Sequence, residues 1–219
     1  TLDDGEASVA KLIDLQNEET SQDQLIRTFV LENKSVKYIT NNPALKHQDL
    51  PAPSYEGLPL QDYVAFLDVL NPMHRIWSDG RWNKLTISHG CYWAKCSFCD
   101  VSLDYIGRYE NTTAEDLVNK MEQLIEQTGE IGFHFVDEAA PPKMLRALSE
   151  EIIKRNLKVI WWTNVRFEKT FSPALCQVMA QAGCIAVTGG LEVASDRLLK
   201  LMKKGVNISQ VAKVGQNFS

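Results

Sequence analysis

Cys91, Cys96 and Cys99 lie close together in one stretch of the sequence, directly after a candidate strand. Thiolates are the usual ligands of iron–sulfur clusters, and three of them can each bind one iron of a four-iron cluster. The remaining iron then keeps an open position, which a metal centre needs to bind and activate a small molecule. Gly90 allows the backbone to turn sharply before the first cysteine. The pattern therefore predicts metal binding at this loop.

Zinc is the competing metal. His89 together with the three cysteines would make a Cys₃His set, and the two-residue gap between Cys96 and Cys99 is common in zinc sites. Against zinc, His89 would have to fold back over Gly90, and the sequence has no second cysteine pair to complete an ordinary zinc site. Two other non-catalytic hypotheses stay open, an electron-transfer cluster and an adapter domain whose loop only packs.

Charged residues follow three other candidate strands: Asp137 and Glu138, then Arg166, then Glu192. Carboxylates accept hydrogen bonds from an ammonium group, and a guanidinium binds a carboxylate through two hydrogen bonds. The structural alternatives are a helix cap for the two acids, a surface ion pair for Arg166 and a tight bend before Glu192. Because ligands bind at the carboxyl ends of parallel strands, we predict that these residues share a site with the cysteine loop.

Strands and helices alternate from residue 84 onward. Predicted strands cover 84–88, 131–136, 159–163 and 185–188, and predicted helices begin near 113, 142, 173, 194 and 207. Ser172 before Pro173 is typical of a helix start, and Gly183 and Gly205 are typical of helix ends. Repeated strand–helix units predict parallel strands joined by right-handed crossovers, which is an α/β fold.

Residues 1–80 lack this regular alternation. They predict a short amphipathic helix at 7–15, a hairpin over 27–40, a proline-bearing linker at 41–57 and a second short helix at 60–70. We therefore divide the chain into an extension and linker (1–80) and a core (81–219). Since it begins without methionine and stops inside a predicted helix, we expect an excised fragment with a core truncated at its C-terminal end.

The amino-acid composition indicates the broad class of protein to which the chain belongs. The chain has 219 residues, 44% of them hydrophobic, and a formal net charge of −5, so it shows no clear signal for nucleic-acid binding. It contains no apolar run of the roughly 18–20 residues that span a bilayer and no secretory leader. Five cysteines, three of them clustered, favour metal ligation in a reducing compartment over disulfides. We predict a cytoplasmic location.

The Cys-x₄-Cys-x₂-Cys loop, with Phe98 before its last cysteine, resembles the signature of the radical S-adenosylmethionine (radical SAM) superfamily. The commonest form of that signature has three residues between the first two cysteines, whereas this sequence has four. The segments 90–100, 190–192 and 201–205 most resemble the class of radical SAM proteins that carry a cobalamin-binding domain. The likeness covers roughly residues 84–219 and is weaker over the first 80.

This resemblance implies a partial TIM-like barrel in which the three cysteines hold a 4Fe–4S cluster and the open iron binds SAM. One electron from the cluster would cleave SAM and give a 5′-deoxyadenosyl radical, with the cofactors supplying the difficult chemistry. By the same resemblance Phe98 would lie near the adenine. Asp137 and Glu138 would face the methionine amine of SAM, and Glu192 would contact its ribose or methionine moiety.

The resemblance also implies partners. An electron donor such as flavodoxin or ferredoxin would reduce the cluster, while the substrate, a small molecule or another kind, is not identified. In the cobalamin-dependent class an upstream Rossmann-like domain carries the corrin, and residues 1–80 would be the end of that domain or a linker to it. Because they lack repeated strand–helix units, we expect cobalamin binding only in the full-length protein.

Overall fold

The structure, a computed structural model, describes residues 5–41, 45–62 and 82–219. The strands are β1 Thr28–Glu32, β2 Ser35–Ile39, β3 Asn83–Leu85, β4 Ser88–His89, β5 Glu110–Asn111, β6 Gly132–Phe135, β7 Ile160–Asn164 and β8 Cys184–Thr188. The helices are α1 Glu6–Gln16, α2 Asp104–Gly107, α3 Ala114–Thr128, α4 Pro142–Lys154, α5 Pro173–Gln181, α6 Asp196–Leu201 and α7 Ile208–Phe218. Most of the helix predicted at 60–70 lies outside the described residues. Its first three residues, Leu60–Asp62, are described and form a 3₁₀ turn.

The main sheet has the order β3-β6-β7-β8, and each neighbouring pair is parallel. The helices α4 and α5 carry the chain from one strand to the next, as right-handed crossovers require. Each new strand is added on the same side of its predecessor, which is the winding of a barrel. The predicted α/β fold is therefore confirmed, as an open part of a barrel within the described residues.

Side-chain caps fix where the helices begin. The Thr113 hydroxyl accepts a hydrogen bond from the backbone N–H of Asp116 at 3.1 Å, at the start of α3. Asn207 caps α7 in the same way, through the N–H of Gln210 at 2.8 Å. Each cap satisfies a backbone donor that has no partner inside its helix, so these helix starts could be predicted from the sequence.

The core lies between the sheet and its helices. Phe133, Phe135 and Trp161 are fully buried on one face of the sheet. The helices cover them with apolar side chains of α3, α4 and α5, among them Leu117, Met121, Leu124, Leu145, Leu148, Ile152, Leu175 and Met179. On the opposite face Lys84 Nζ lies 3.1 Å from Nδ1 of His134, whose ring stacks on Trp162 at 3.6 Å between centroids. One face of the sheet is thus an apolar core and the other carries polar groups.

Two predicted elements are shorter than expected. The predicted strand at 84–88 divides into β3 and β4, and β4 leaves the main sheet to pair antiparallel with β5. The buried carboxylate of Asp137 causes this departure, because it takes the backbone N–H groups of Ile87 and Ser88 at 2.9 and 2.8 Å. The helix predicted to begin near 194 and to end before Gly205 stops at Leu201, since the following carbonyl groups turn toward the cysteine loop.

The described N-terminal elements agree with the helix and the hairpin predicted from the sequence. The hairpin β1–β2 closes on Asn33 and Lys34, both with positive φ (49° and 64°), as the two-residue turn requires. The segment 45–62 packs on the core through hydrogen bonds such as His47 N–H to Glu110 Oε2 at 2.8 Å. No helix in the described ranges is long and apolar enough to cross a membrane.

Candidate functional site

The cysteine loop leaves β4 through a sharp turn at Gly90. This glycine has φ of 73°, and a Cβ at its position would overlap the carbonyl oxygen of Arg108. The N–H of Cys91 then donates to the carbonyl of Ile106 at 3.0 Å. Only glycine combines this backbone conformation with such a close approach, so Gly90 fixes the direction in which the loop leaves the sheet.

The three cysteines are half-buried free thiols on that loop. Burial raises the pKa of Cys99, and the neighbouring thiolate charges of Cys96 and Cys91 raise it further, whereas Lys204 opposes the shift. The N–H of Cys99 donates to the carbonyl of Cys96 at 3.2 Å, which makes a tight turn between the last two cysteines. The thiols are therefore electrostatic neighbours, as the ligands of one centre must be.

This donor set fits an iron–sulfur cluster better than a single zinc ion. Within the described residues no three His, Cys, Asp or Glu side chains gather closely enough to hold one metal ion. Three cysteines can hold a four-iron cluster by each binding a different iron, whereas a structural zinc ion takes four protein ligands. The proposed fourth zinc ligand, His89, has its Nε2 3.3 Å from the guanidinium of Arg108, so this ring nitrogen faces a cation.

Three consecutive carbonyl groups at 202–204, here called the carbonyl clamp, hold the loop from the other side of the site. The bonds are Ser97 N–H to Met202 O at 2.9 Å, Trp93 Nε1–H to Lys203 O at 2.9 Å and Arg166 Nη2–H to Lys204 O at 2.6 Å. The clamp follows directly on α6, so its carbonyl groups receive no hydrogen bond from a further helical turn and can accept from the loop and from Arg166. Two of its three bonds join the cysteine loop to residues more than a hundred positions away in the sequence, and the third, from Arg166, spans 38 positions.

Arg166 lies buried beneath the loop. Its guanidinium stands 4.3 Å from the centre of the Trp93 ring, and its Nε lies 3.8 Å from Glu168. A cation stacked on an indole in a buried place is a favourable contact. Arg166 therefore braces Trp93 and the clamp together. The pairing of Arg166 with a ligand carboxylate stays a prediction.

The two adjacent acids at the end of β6 have different environments. Asp137 is buried and accepts hydrogen bonds from the N–H of Ile87 and from both the N–H and the hydroxyl of Ser88. Burial raises the pKa of Asp137 to about 6, and those hydrogen bonds oppose the shift. Glu138 is exposed at the same strand end. Of the two, only Glu138 presents its carboxylate to solvent.

Glu192 and Phe98 meet at Lys204. Glu192 has a left-handed backbone (φ 67°), and its Oε1 lies 2.9 Å from Lys204 Nζ. The same ammonium stands 5.4 Å from the centre of the Phe98 ring, which is 51% exposed. Both predicted residues thus lie on one side of the cysteine loop and share a cation. An exposed aromatic ring beside paired charges is a surface on which a flat polar ligand can pack.

Sequence reasoning missed two residues of this site, Trp93 and Lys204. Trp93 lies between the first two cysteines, and its ring packs so closely on Gly205 that a Cβ there would overlap it. The sequence predicts a helix end at Gly205, which explains its φ of 77° but not this contact. A tryptophan inside a ligand loop was the available signal, since so large a ring needs a surface to cover.

The profile of the radical SAM superfamily matches residues 85–219 of the chain. An uncharacterized methyltransferase of Pyrococcus horikoshii, PH0819, is 26% identical over 210 residues, which cover 94% of this chain and 43% of the relative. An anaerobic magnesium-protoporphyrin IX monomethyl ester cyclase of Rubrivivax gelatinosus is 29% identical over 127 residues, covering 56% of this chain and 22% of the relative. The chain thus spans less than half the length of either protein.

Solved structures agree with the fold. The cobalamin-dependent SAM radical enzyme OxsB, with aqua-cobalamin and SAM bound, superposes with a TM-score of 0.73 at 18% identity, covering 99% of this chain and 31% of that one. The radical SAM methyltransferase TsrM of Kitasatospora setae, with cobalamin and a 4Fe–4S cluster bound, gives 0.69 at 16% identity, covering 99% and 44%. At these identities the likeness establishes the architecture.

Proposed function

We propose that this chain, which belongs to the radical SAM superfamily, holds a 4Fe–4S cluster through Cys91, Cys96 and Cys99 and cleaves SAM reductively. When bound, such a cluster supplies one electron that breaks a sulfur–carbon bond of SAM, leaving methionine and a 5′-deoxyadenosyl radical able to take a hydrogen atom from a substrate. The observation that carries the proposal is the set of three neighbouring half-buried thiols on a clamped loop.

The chain's own residues then bind and orient SAM. Glu138 is the exposed carboxylate at the strand end, so we assign it the ammonium group of the methionine moiety, where a charge-assisted hydrogen bond is strong. Phe98 offers its exposed ring to the adenine, and Glu192 with Lys204 provides paired charges for the ribose or methionine groups. Asp137 is buried beneath the strand end, and we assign it to positioning the backbone before the loop.

Methyl transfer and cobalamin remain proposals for the full-length protein. They are supported by relatives and solved structures whose names include a methyltransferase and cobalamin-dependent enzymes. The described N-terminal residues form a helix, a hairpin and short turns, without the strand–helix repeats of a corrin-binding domain. Any corrin would therefore be held by residues other than those described at 5–62.

The first experiment is anaerobic reconstitution with iron and sulfide, followed by metal and sulfide analysis and electron paramagnetic resonance of the dithionite-reduced protein. We expect about four iron atoms per chain, as a 4Fe–4S cluster requires. The reduced-cluster signal should change when SAM is added, since SAM would bind the open iron. Formation of 5′-deoxyadenosine from SAM, measured chromatographically, should accompany the signal.

A matched pair of cysteine variants makes this test specific. Cys96→Ala removes one ligand and should lose the cluster. Cys184→Ala removes a thiol at the start of β8 whose pKa burial raises to about 12, a poor thiolate away from the loop, and should keep the cluster. Stoichiometric zinc with no iron uptake in the unaltered protein would instead establish a structural metal module and overturn the proposal. A cluster whose signal ignores SAM would indicate an electron carrier.

A further inference from the structure

Two buried cations lie against the cysteine loop. Among the described residues four lysine or arginine side chains are buried, and two of them are Arg166 and Lys204. These two residues are joined directly, because the Arg166 guanidinium donates to the backbone carbonyl of Lys204 at 2.6 Å. Taking a cation out of water is costly unless anions nearby compensate its charge. Two such cations at one place therefore require negative charge close by.

The carboxylates beside these cations compensate their charge only in part. Nε of Arg166 lies 3.8 Å from Glu168, which is too long for a hydrogen bond, and this buried atom has no hydrogen-bond partner among the residues that the structure describes. Lys204 Nζ is paired with Glu192 at 2.9 Å, but the side chain of Glu192 is 37% exposed and that of Lys204 only 11%. Because water screens the exposed acid more than the buried cation, a positive field remains at the loop.

This positive field reaches the cysteine thiols. The ammonium of Lys204 lies 5.4 Å from the centre of the ring of Phe98, the residue before Cys99. Burial and the other two thiolates of the loop raise the pKa of Cys99, whereas Lys204 opposes that shift by favouring the thiolate. Arg166 lies beneath the same loop, 4.3 Å from the centre of the Trp93 ring. A negatively charged group held by the three cysteines would therefore be stabilised by both cations.

We propose that Arg166 and Lys204 raise the reduction potential of the cluster by stabilising its reduced state. The inference rests on the proposed function, because it concerns the cluster that the three cysteines would hold. On reduction such a cluster gains one electron from an external reductant, with no bond made or broken, so its charge becomes more negative. A buried positive charge nearby lowers the free energy of the more negative state, and this makes reduction easier.

The test is the midpoint potential of the reconstituted protein, measured by redox titration with the paramagnetic signal of the reduced cluster as the readout. SAM is omitted, so that pairing of either cation with a SAM carboxylate does not contribute. Lys204→Met removes the ammonium and keeps the backbone carbonyl that Arg166 uses. Lys120→Met is the matched control, because Lys120 pairs with Asp116 at 2.7 Å with side-chain exposures of 11% and 36%, nearly those of Lys204 and Glu192. The control pair lies within helix α3, outside both the cysteine loop and the carbonyl clamp.

We expect Lys204→Met to shift the potential to a more negative value. At the midpoint of the unaltered protein the ratio of reduced to oxidised cluster should fall roughly tenfold, which equals about 59 mV for one electron. A unit charge acting across roughly 10 Å at an effective dielectric constant of about 20 has an effect of this size. Arg166→Met should shift the potential in the same direction, whereas Lys204→Arg, which keeps the charge, and Lys120→Met should stay near the unaltered value.

The sign of the shift separates a charge effect from a structural one. A loosened loop would admit water, which stabilises the reduced charge and moves the potential to more positive values. If Lys204→Met does not hold a cluster, Lys204→Met/Glu192→Gln replaces it with a smaller expected shift, since removing both partners leaves no uncompensated buried charge. A negative shift in neither Lys204→Met nor Arg166→Met, or an equal shift in Lys120→Met, would overturn the inference. Failure of the unaltered protein to take up iron would instead reject the proposed function itself.

Discussion

Asp137 and Glu138 are adjacent in the sequence and both carry a carboxylate, yet their surroundings give them different roles. The carboxylate of Asp137 is buried and receives three hydrogen bonds from Ile87 and Ser88, so it determines where the chain leaves the sheet before the cysteine loop. Glu138 is exposed at the strand end. A buried acid with this many donors acts on backbone position, and an exposed acid is available to a ligand.

We predict that Asp137→Asn lowers the stability of the fold, whereas Glu138→Gln lowers the affinity for SAM. Asp137→Asn places an amide NH₂ against a backbone N–H donor, which should lower the free energy of unfolding by about 1–3 kcal/mol. Glu138→Gln should leave stability unchanged and weaken SAM binding, because the charge-assisted hydrogen bond is lost. Urea denaturation and SAM titration of the reconstituted protein measure the two effects. Equal SAM affinity in Glu138→Gln would show that the ammonium is held elsewhere.

Asp137 also predicts a pH dependence. Its folded-state pKa of about 6 lies above the ordinary value of 3.8, so between these values the folded state binds more protons than the unfolded state. The free energy of unfolding should therefore fall as the pH rises through this window, by roughly 3 kcal/mol from this one group. Asp137→Asn lacks this contribution. The stability of the unaltered protein minus that of the variant should decrease from pH 4 to 6, and a flat difference would contradict the assigned burial.

At this scale the sequence predicted residue types better than residue roles. Three clustered cysteines indicate a metal site because few other arrangements need three thiols together. The roles of Asp137 and Glu138 were not separable, because they depend on which backbone N–H groups lie nearby after folding. The sequence predicts that Arg166 binds a ligand carboxylate. Its contacts with Trp93 and Lys204 show that it also braces the cysteine loop, which the sequence could not predict because these partners lie far away along the chain.

Among the elements, the carbonyl clamp connects helix α6 to the cysteine loop and depends on Gly205. That glycine has φ of 77°, and its missing side chain leaves room for the Trp93 ring. Gly129, which ends α3, has nearly the same φ of 74° but nothing within 4 Å of where its Cβ would be. The two glycines share a backbone requirement, and only one of them also makes a packing contact.

We predict that this difference separates Gly205→Ala from Gly129→Ala. Both variants adopt an unfavourable left-handed backbone and should lose about 1–2 kcal/mol of stability. Gly205→Ala should in addition displace Trp93 and cost its hydrogen bond to Lys203 O, about 1 kcal/mol, which corresponds to roughly fivefold weaker cluster retention. The measurement is the rate of iron release to a chelator. Identical release from the two variants would mean that the clamp does not hold the loop.

Most elements of the core could be predicted because their signals are local. The caps at Thr113 and Asn207 and the hydrophobic spacing of α3 and α4 lie within the elements that they define. The short strands β4 and β5 and the early end of α6 could not be predicted, since bonds to Asp137 and to the cysteine loop determine them. Elements fixed by distant partners leave little trace in sequence periodicity.

In the whole molecule, the cysteine loop is attached to both ends of the described sheet. It emerges from the first strand, β3, through β4, and the clamp ties it to the segment after the last strand, β8. The loop therefore connects the first strand of the described sheet with the segment that follows its last strand. A ligand that orders the loop should stabilise the sheet as a whole, because it favours the folded state over the unfolded state.

We predict that cluster loading raises the unfolding temperature of the entire chain. A ligand at a hundred times its dissociation constant adds about 2.7 kcal/mol, which for a chain of this size shifts the midpoint by roughly 5–10 °C. Anaerobic thermal denaturation of the apo and reconstituted protein, followed by far-ultraviolet circular dichroism, measures the shift. Cys99→Ala should lose the increment, whereas Cys184→Ala should keep it even if its own baseline stability changes. If loading moves only a local probe such as tryptophan fluorescence and leaves the global transition where it was, the loop is tethered too loosely to couple the first and last strands.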